Sequence, residues 1–150
     1  MTTHRDFGIL LGLAYQSFVD QLRAHLARRG FADLGPAYGY VLRAVASESM
    51  NQRDLAQRLG ITAQGAGKVI REMLKSGYLR RDADVQDARA VRLSLGPRGR
   101  ELLSAARRFH KRYEDQLSKD LGTSAAALRT ALSHIANRAG GDADRRLRSM

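Results

Sequence analysis

Cysteine is absent from all 150 residues, which excludes disulfides, thiolate nucleophiles, Cys-ligated zinc and thiol redox sensing. Proline occurs twice and tryptophan not at all. With Ala, Leu and Arg abundant, the chain reads as mostly helical. No apolar run approaches the roughly 20 residues that span a bilayer, and Met1 to Asp6 leads into an amphipathic helix rather than a cleavable signal. A cytoplasmic, nucleoid-associated location without a membrane partner is therefore expected. Acidic residues are in deficit, 15 against 26 Lys and Arg, for a net charge of +11. Such an excess favours a polyanionic partner. His4, His25, His110 and His134 lie far apart, with no second ligand at metal-binding spacing. No Gly-rich phosphate loop, nucleophile elbow or carboxylate pair is present. No enzyme, metal or cofactor is expected.

Helical periodicity carries most of what remains. Phe7, Leu11, Ala14, Tyr15, Phe18, Leu22 and Leu26 recur by threes and fours, which predicts an amphipathic helix to about Arg28, ended by Gly30. Pro36 suits the first turn of a second helix, to about Ser47, that turns Tyr38, Val41, Leu42 and Val45 inward. Asn51 is a good N-cap for a short helix over 52–59, and Thr62 for a longer one to about Ser76. Gly60-Ile61 makes the turn between them, and Leu55, Leu59, Ile61, Val69, Ile70, Met73 and Leu74 are the apolar set expected to join the two. Leu102, Ala106, Phe109, Tyr113, Leu117 and Leu121 predict a long helix from Pro97, and Leu128, Leu132 and Ile135 a last one capped by Thr123.

Between the fourth and fifth predicted helices lies a stretch of different period. Val91, Leu93 and Leu95 alternate with Arg92 and Ser94, the pattern of a strand with one buried face. With Leu79 opening a partner strand after Gly77, 79–95 reads as a β-hairpin, its tip carrying Arg80, Arg81 and Arg89 beside Asp82, Asp84 and Asp87. The segment before it, 51–76, has the form of a helix-turn-helix. A helix-turn-helix followed by a basic hairpin is a winged helix, whose common use is binding duplex DNA.

The whole order resembles the MarR family of bacterial transcriptional regulators, from about Phe7 to Arg138. The likeness is most specific in the wing, where Asp87 and Arg89 match an Asp-x-Arg signature and Leu95-Gly96-Pro97-Arg98-Gly99 a Leu-Thr-x-x-Gly element, with Gly96 in place of Thr as a still acceptable N-cap. Gly65 and Gly67 depart from the hydroxyl residues usual in that family's recognition helix. The resemblance implies one MarR-like domain over 1–150, mainly α with a β-hairpin wing. Its parts are dimerisation helices over about 7–33 and 97–139, a winged helix-turn-helix over about 36–95, and a loose tail over 140–150.

The residues agree with a DNA-binding use. Thr62, Ala63, Gln64 and Gly65 stand at the end of the helix that a helix-turn-helix presents to the major groove. Gln64 can pair with adenine, and Lys68 with guanine or a phosphate. Arg89 suits a narrow minor groove, with Asp87 as its orienting partner. Arg53, Arg71, Lys75, Arg80 and Arg81 are candidate phosphate contacts. Gly65 and Gly67 either let backbone approach DNA or belong to a helix held by tertiary packing. The terminal helices carry apolar stripes too long for a small domain to cover, which predicts a two-fold homodimer; packing into a taller monomer is the alternative.

The resemblance further implies a small, often aromatic or anionic effector in a cleft. Tyr15, Phe18, Tyr38, Tyr40, Phe109 and Tyr113 are candidates to line it and Arg43 to anchor it, the bland reading being core packing. The leading function is a ligand-released, dimeric, sequence-specific repressor on a pseudo-palindromic operator. The alternative is a non-specific architectural or protein-binding winged-helix module.

Overall fold

The computed structural model describes residues 6–83, 85–87 and 90–138. Its elements follow in the order α1 (Phe7–Ala27), α2 (Tyr38–Ser47), α3 (Gln52–Leu59), α4 (Ala63–Lys75), β1 (Leu79–Ala83), β2 (Val91–Leu95), α5 (Pro97–Leu121) and α6 (Ser124–Asn137). The predicted tail, 140–150, lies outside the described residues.

Local chemistry explains most boundaries. The Asn51 side chain accepts the Asp54 N–H at 2.8 Å and so starts α3; Gly60, at φ +63°, ends it in the left-handed conformation a side chain disfavours. Thr62 Oγ1 accepts the Gly65 N–H at 3.0 Å and starts α4. Two expectations are corrected. Thr123 sits at φ −63°, ψ −21°, already helical, and its hydroxyl makes no cap hydrogen bond; the extended backbone that lets a cap reach forward is missing. Pro36 lies in a turn closed by the Tyr38 N–H donating to the Gly35 carbonyl at 3.2 Å, and regular helix begins only at Tyr38.

Strands β1 and β2 form an antiparallel hairpin in which Leu79 pairs with Leu95, Arg81 with Leu93 and Ala83 with Val91. Met50, just before α3, adds a bridge to Leu93 whose N–H donates to the Met50 carbonyl at 2.8 Å. The hairpin is thereby tied to the helix-turn-helix at its buried strand.

One core unites the winged helix with the inner ends of α1 and α5. Leu42, Leu55, Met73 and Tyr78 are wholly buried at its centre, with Leu26, Phe31, Leu102 and Leu103 closing it from the flanks. Ile61, expected in this set, is more than a third exposed at the α3–α4 turn. The outer ends of the terminal helices differ sharply from this core. Phe7, Leu10 and Leu13 of α1 are exposed, α6 buries no residue, and Leu128, Leu132 and Ile135 form an open apolar stripe along it.

Candidate nucleic-acid interface

Helix α4 is amphipathic in the sense a recognition helix requires. Ala66, Gly67, Ile70 and Met73 are buried against the domain, while Gln64, Lys68, Arg71 and Lys75, spaced four, three and four apart, are all exposed. This spacing places the latter on one face of the helix. Thr62 and Ala63 are exposed at its N-terminal end, where unpaired backbone N–H groups and the helix dipole favour an anion.

The two glycines of α4 have distinct surroundings. A β-carbon on Gly67 would lie 2.8 Å from Gln52 Nε2 and 3.3 Å from Arg71 Nη1. Gln52 crosses α4 there, its amide aimed at the Ala63 carbonyl at 3.3 Å. Gly67 is buried on the side of α4 that meets the Gln52 side chain of α3. Gly65 is half-buried, and a β-carbon on it would stand 3.1 Å from the capping Thr62 hydroxyl.

The hairpin presents a braced polar face. Arg80 Nε donates to Ser94 Oγ at 2.9 Å, Ser94 in turn donates to the Asp82 carboxylate, and Arg80 pairs with Asp82 at 3.3 Å. Arg92 donates to the Ser49 carbonyl, which fixes the same strand to the approach to α3. Arg81 lies on the opposite face, in line with Leu79, and is exposed. At the tip Asp87 is exposed and its carbonyl accepts the Ala90 N–H at 2.9 Å. Arg89 lies outside the described residues.

The base of the hairpin is locked to α5 and to the α1–α2 connection by three side chains. Tyr78 donates its hydroxyl proton to Asp33 Oδ1 at 2.7 Å, while Arg98 grips both oxygens of Asp33 at 2.8 and 3.0 Å and the Gly30 carbonyl at 2.8 Å. The Arg98 guanidinium also lies 4.6 Å from the Tyr78 ring centroid, a cation–π contact. The Tyr78 hydrogen bond, then Arg98, hold the Asp33 carboxyl below its ordinary value; burial pushes the Tyr78 hydroxyl well up. Nothing in the sequence pattern marked this group, because its members stand 45 and 65 residues from Asp33.

The candidate effector residues do not all meet. Phe18 packs against His110 and Tyr113, with ring centroids at 5.3 and 5.0 Å, and Arg43 Nη2 approaches His110 Nε2 at 3.3 Å. Arg43, Arg107, His110 and Ser47 line a cavity of about 190 Å³ between α2 and α5. Burial and the Arg43 charge depress the His110 imidazole below its usual value. Tyr38 is elsewhere, buried edge-on to Tyr78 in the winged-helix core, and Tyr15 is exposed on α1. Among the described residues no three His, Cys, Asp or Glu are placed to hold a metal, and no helix is long and apolar enough to cross a membrane.

Residues 32–90, which contain the helix-turn-helix and β1 and end just before β2, match the model of the MarR family. The match covers less than half of the chain. Its fold is similar to that of RV1404 from Mycobacterium tuberculosis, with a TM-score of 0.75 over 95% of this chain and 99% of that one at 17% identity. It is also similar to the transcriptional repressor CouR bound to a 23-mer DNA duplex, at 27% identity with a TM-score of 0.65, over 87% of this chain and 92% of CouR. Among curated proteins, the exopolysaccharide II synthesis transcriptional activator ExpG of Rhizobium meliloti is 28% identical over 118 residues, or 79% of this chain. The match spans 61% of ExpG's own length. The relatives named by role, CouR and ExpG, are transcriptional regulators.

Proposed function

We propose that the chain is a MarR-family transcriptional regulator, not an enzyme, that binds duplex DNA sequence-specifically, as a homodimer on a pseudo-palindromic operator, and acts as a repressor released by a small aromatic or anionic effector. The observation that carries the reading is the exposed Gln64, Lys68, Arg71 and Lys75 face of α4 beside a braced hairpin. A side chain that can read a base edge stands ahead of three cations suited to phosphates or guanine. CouR, seated on a duplex, supports DNA as the partner and repression as the outcome; ExpG, an activator, makes the sign of regulation the first thing to measure. Open apolar stripes on α1 and α6 support the dimer. The Arg43 and His110 cavity supports an anionic effector. A cytoplasmic, nucleoid-associated location follows from such a role.

Fluorescence anisotropy tests the reading, using an operator selected from a random duplex library. The operator is expected to bind roughly 10³-fold or more tightly than random duplex. Gln64→Ala is expected to erode that preference at one base pair, and Arg89→Ala to weaken binding by about 1–3 kcal/mol with the fold intact. Asp87→Ala should weaken it less. Equal affinity for all duplexes would instead identify an architectural module.

A further inference from the structure

Three exposed arginines, Arg29, Arg100 and Arg108, stand around one open groove of about 530 Å³, just past the end of α1 and along the first half of α5. Each guanidinium is held by a neutral acceptor. Arg100 Nη1 donates to the Leu95 carbonyl at 2.9 Å, Arg108 Nη1 to Ser104 Oγ at 2.7 Å, and Arg29 Nη1 lies 3.2 Å from His25 Nδ1. A guanidinium carries five N–H donors, of which these bonds use a minority. Among the described residues none of the three makes an ion pair. Glu101, also exposed, is the one carboxylate among the lining residues. Three positive charges over a single carboxylate attract an anionic partner.

The groove lies away from the parts of the chain that reach for a duplex. Arg100 closes onto Leu95, at the end of the hairpin opposite its tip, about 13 Å along the strand from Val91. Arg29 adjoins Gly30, whose carbonyl Arg98 grips beside Asp33, and the same joint holds Tyr78, just after α4. Gln64 is at the other end of α4, about 17 Å from Lys75. A duplex laid across Gln64 and the hairpin tip therefore leaves the groove open. Its lining also favours protein over nucleic acid. Phe31 and Ala105, both buried in the fold, supply an apolar floor between the arginines. A duplex backbone brings phosphates but nothing apolar to that floor, whereas a protein segment brings both kinds of group. The groove shares no lining residue with the cavity between α2 and α5.

We propose that this groove docks an acidic segment of another protein, its carboxylates paired with Arg29, Arg100 and Arg108 and one apolar side chain resting on Phe31 and Ala105. The planar guanidinium fork meets a carboxylate through two parallel hydrogen bonds, so three arginines select an acidic segment over a neutral one. Glu101 repels a carboxylate and confines the acidic residues to the arginine side. Docking of this kind goes beyond the regulatory reading; only its separation from the bound duplex rests on that reading.

Fluorescence anisotropy of the full chain tests it, with a labelled short peptide of Glu residues around a central Phe-Leu pair. The peptide is expected to bind the free chain and the duplex-saturated chain equally well. Its version with Ala-Ala at the centre should bind about fivefold more weakly, and its version with Lys for Glu not at all. Arg100→Gln and Arg108→Gln each lower peptide affinity about fivefold and together leave duplex affinity unchanged, whereas Lys68→Gln with Arg71→Gln does the reverse. Arg108 is exposed on the helix surface, so Arg108→Glu gives the same loss with the fold intact where Arg100→Gln disturbs the bond to the hairpin. Absence of peptide binding overturns the proposal. So does displacement of the peptide by duplex, which would make the groove part of the DNA surface, and so does binding that survives loss of both arginines. A chain that binds the peptide as expected but no duplex overturns the regulatory reading and leaves the docking site standing.

Discussion

Gly99 lies buried in the first turn of α5, where a β-carbon would stand 2.2 Å from the Tyr78 carbonyl oxygen and 3.1 Å from Leu42 Cδ2. The oxygen belongs to backbone already engaged, since it accepts the Gly96 N–H at 2.9 Å, and it has little freedom to yield. Gly99→Ala is therefore expected to destabilise the fold by about 1–3 kcal/mol through overpacking, read as a lower urea midpoint at unchanged slope. An unchanged midpoint would show that α5 shifts freely at its start. Gly96 is similar, with the Gly77 oxygen 2.3 Å from its absent β-carbon. Sequence reasoning accepts Gly96 as a tolerable N-cap; the structure gives it a spatial reason that no local pattern contains. Gly67 differs, because the atoms nearest its absent β-carbon are the movable side-chain ends of Gln52 and Arg71. By contrast Asn51 and Thr62 were legible as caps, since each bonds to an N–H three residues ahead.

Helices and hairpin were readable from their periods, but the joints between them were not. The winged helix is held to α5 and to the α1–α2 connection through Asp33, Tyr78 and Arg98, three residue types common on any surface. Their role depends on a meeting that only the tertiary fold creates. Asp33 is bound as a carboxylate, and its pKa lies below the ordinary 3.8 in the folded chain. A depressed folded value means stabilisation that is fully present above the ordinary value and is lost as pH falls through the folded one. Asp33→Asn is expected to cost about 1 kcal/mol at pH 7, a modest figure because the carboxylate is half exposed to solvent. The gap from the parent should stay constant down to about pH 4 and close below it, as denaturant melts across pH 2–7 would show. A gap independent of pH would mean that Asp33 acts through shape alone.

On the scale of the whole molecule, the apolar stripes at the chain's two ends were legible in sequence, whereas their partner was not, since periodicity marks a buried face without naming what buries it. Leu13 of α1 is 49% exposed and Leu132 of α6 44%. Helix α6 has 14 residues and no buried side chain, and its ties to the rest include the Arg129–Glu114 pair at 2.7 Å. A helix of that length is marginal in water without a packed face, and an exposed ion pair adds less than about 1 kcal/mol. The proposed second copy, covering both stripes, would supply the missing burial, about 25 cal/mol per Å² of apolar surface. It would also set two α4 faces on one duplex, so that the counterions released on binding count both halves. For about 3–5 phosphates per half-site, log K should fall with log salt at a slope of about −5 to −9. Leu128→Glu with Leu132→Glu places charge in the stripe without touching the winged-helix core. Light scattering should then find one chain where the parent has two, and the salt slope for operator binding should drop to about half. A double variant that remains dimeric, or one that is monomeric with an unchanged slope, would detach α6 from the assembly that grips DNA.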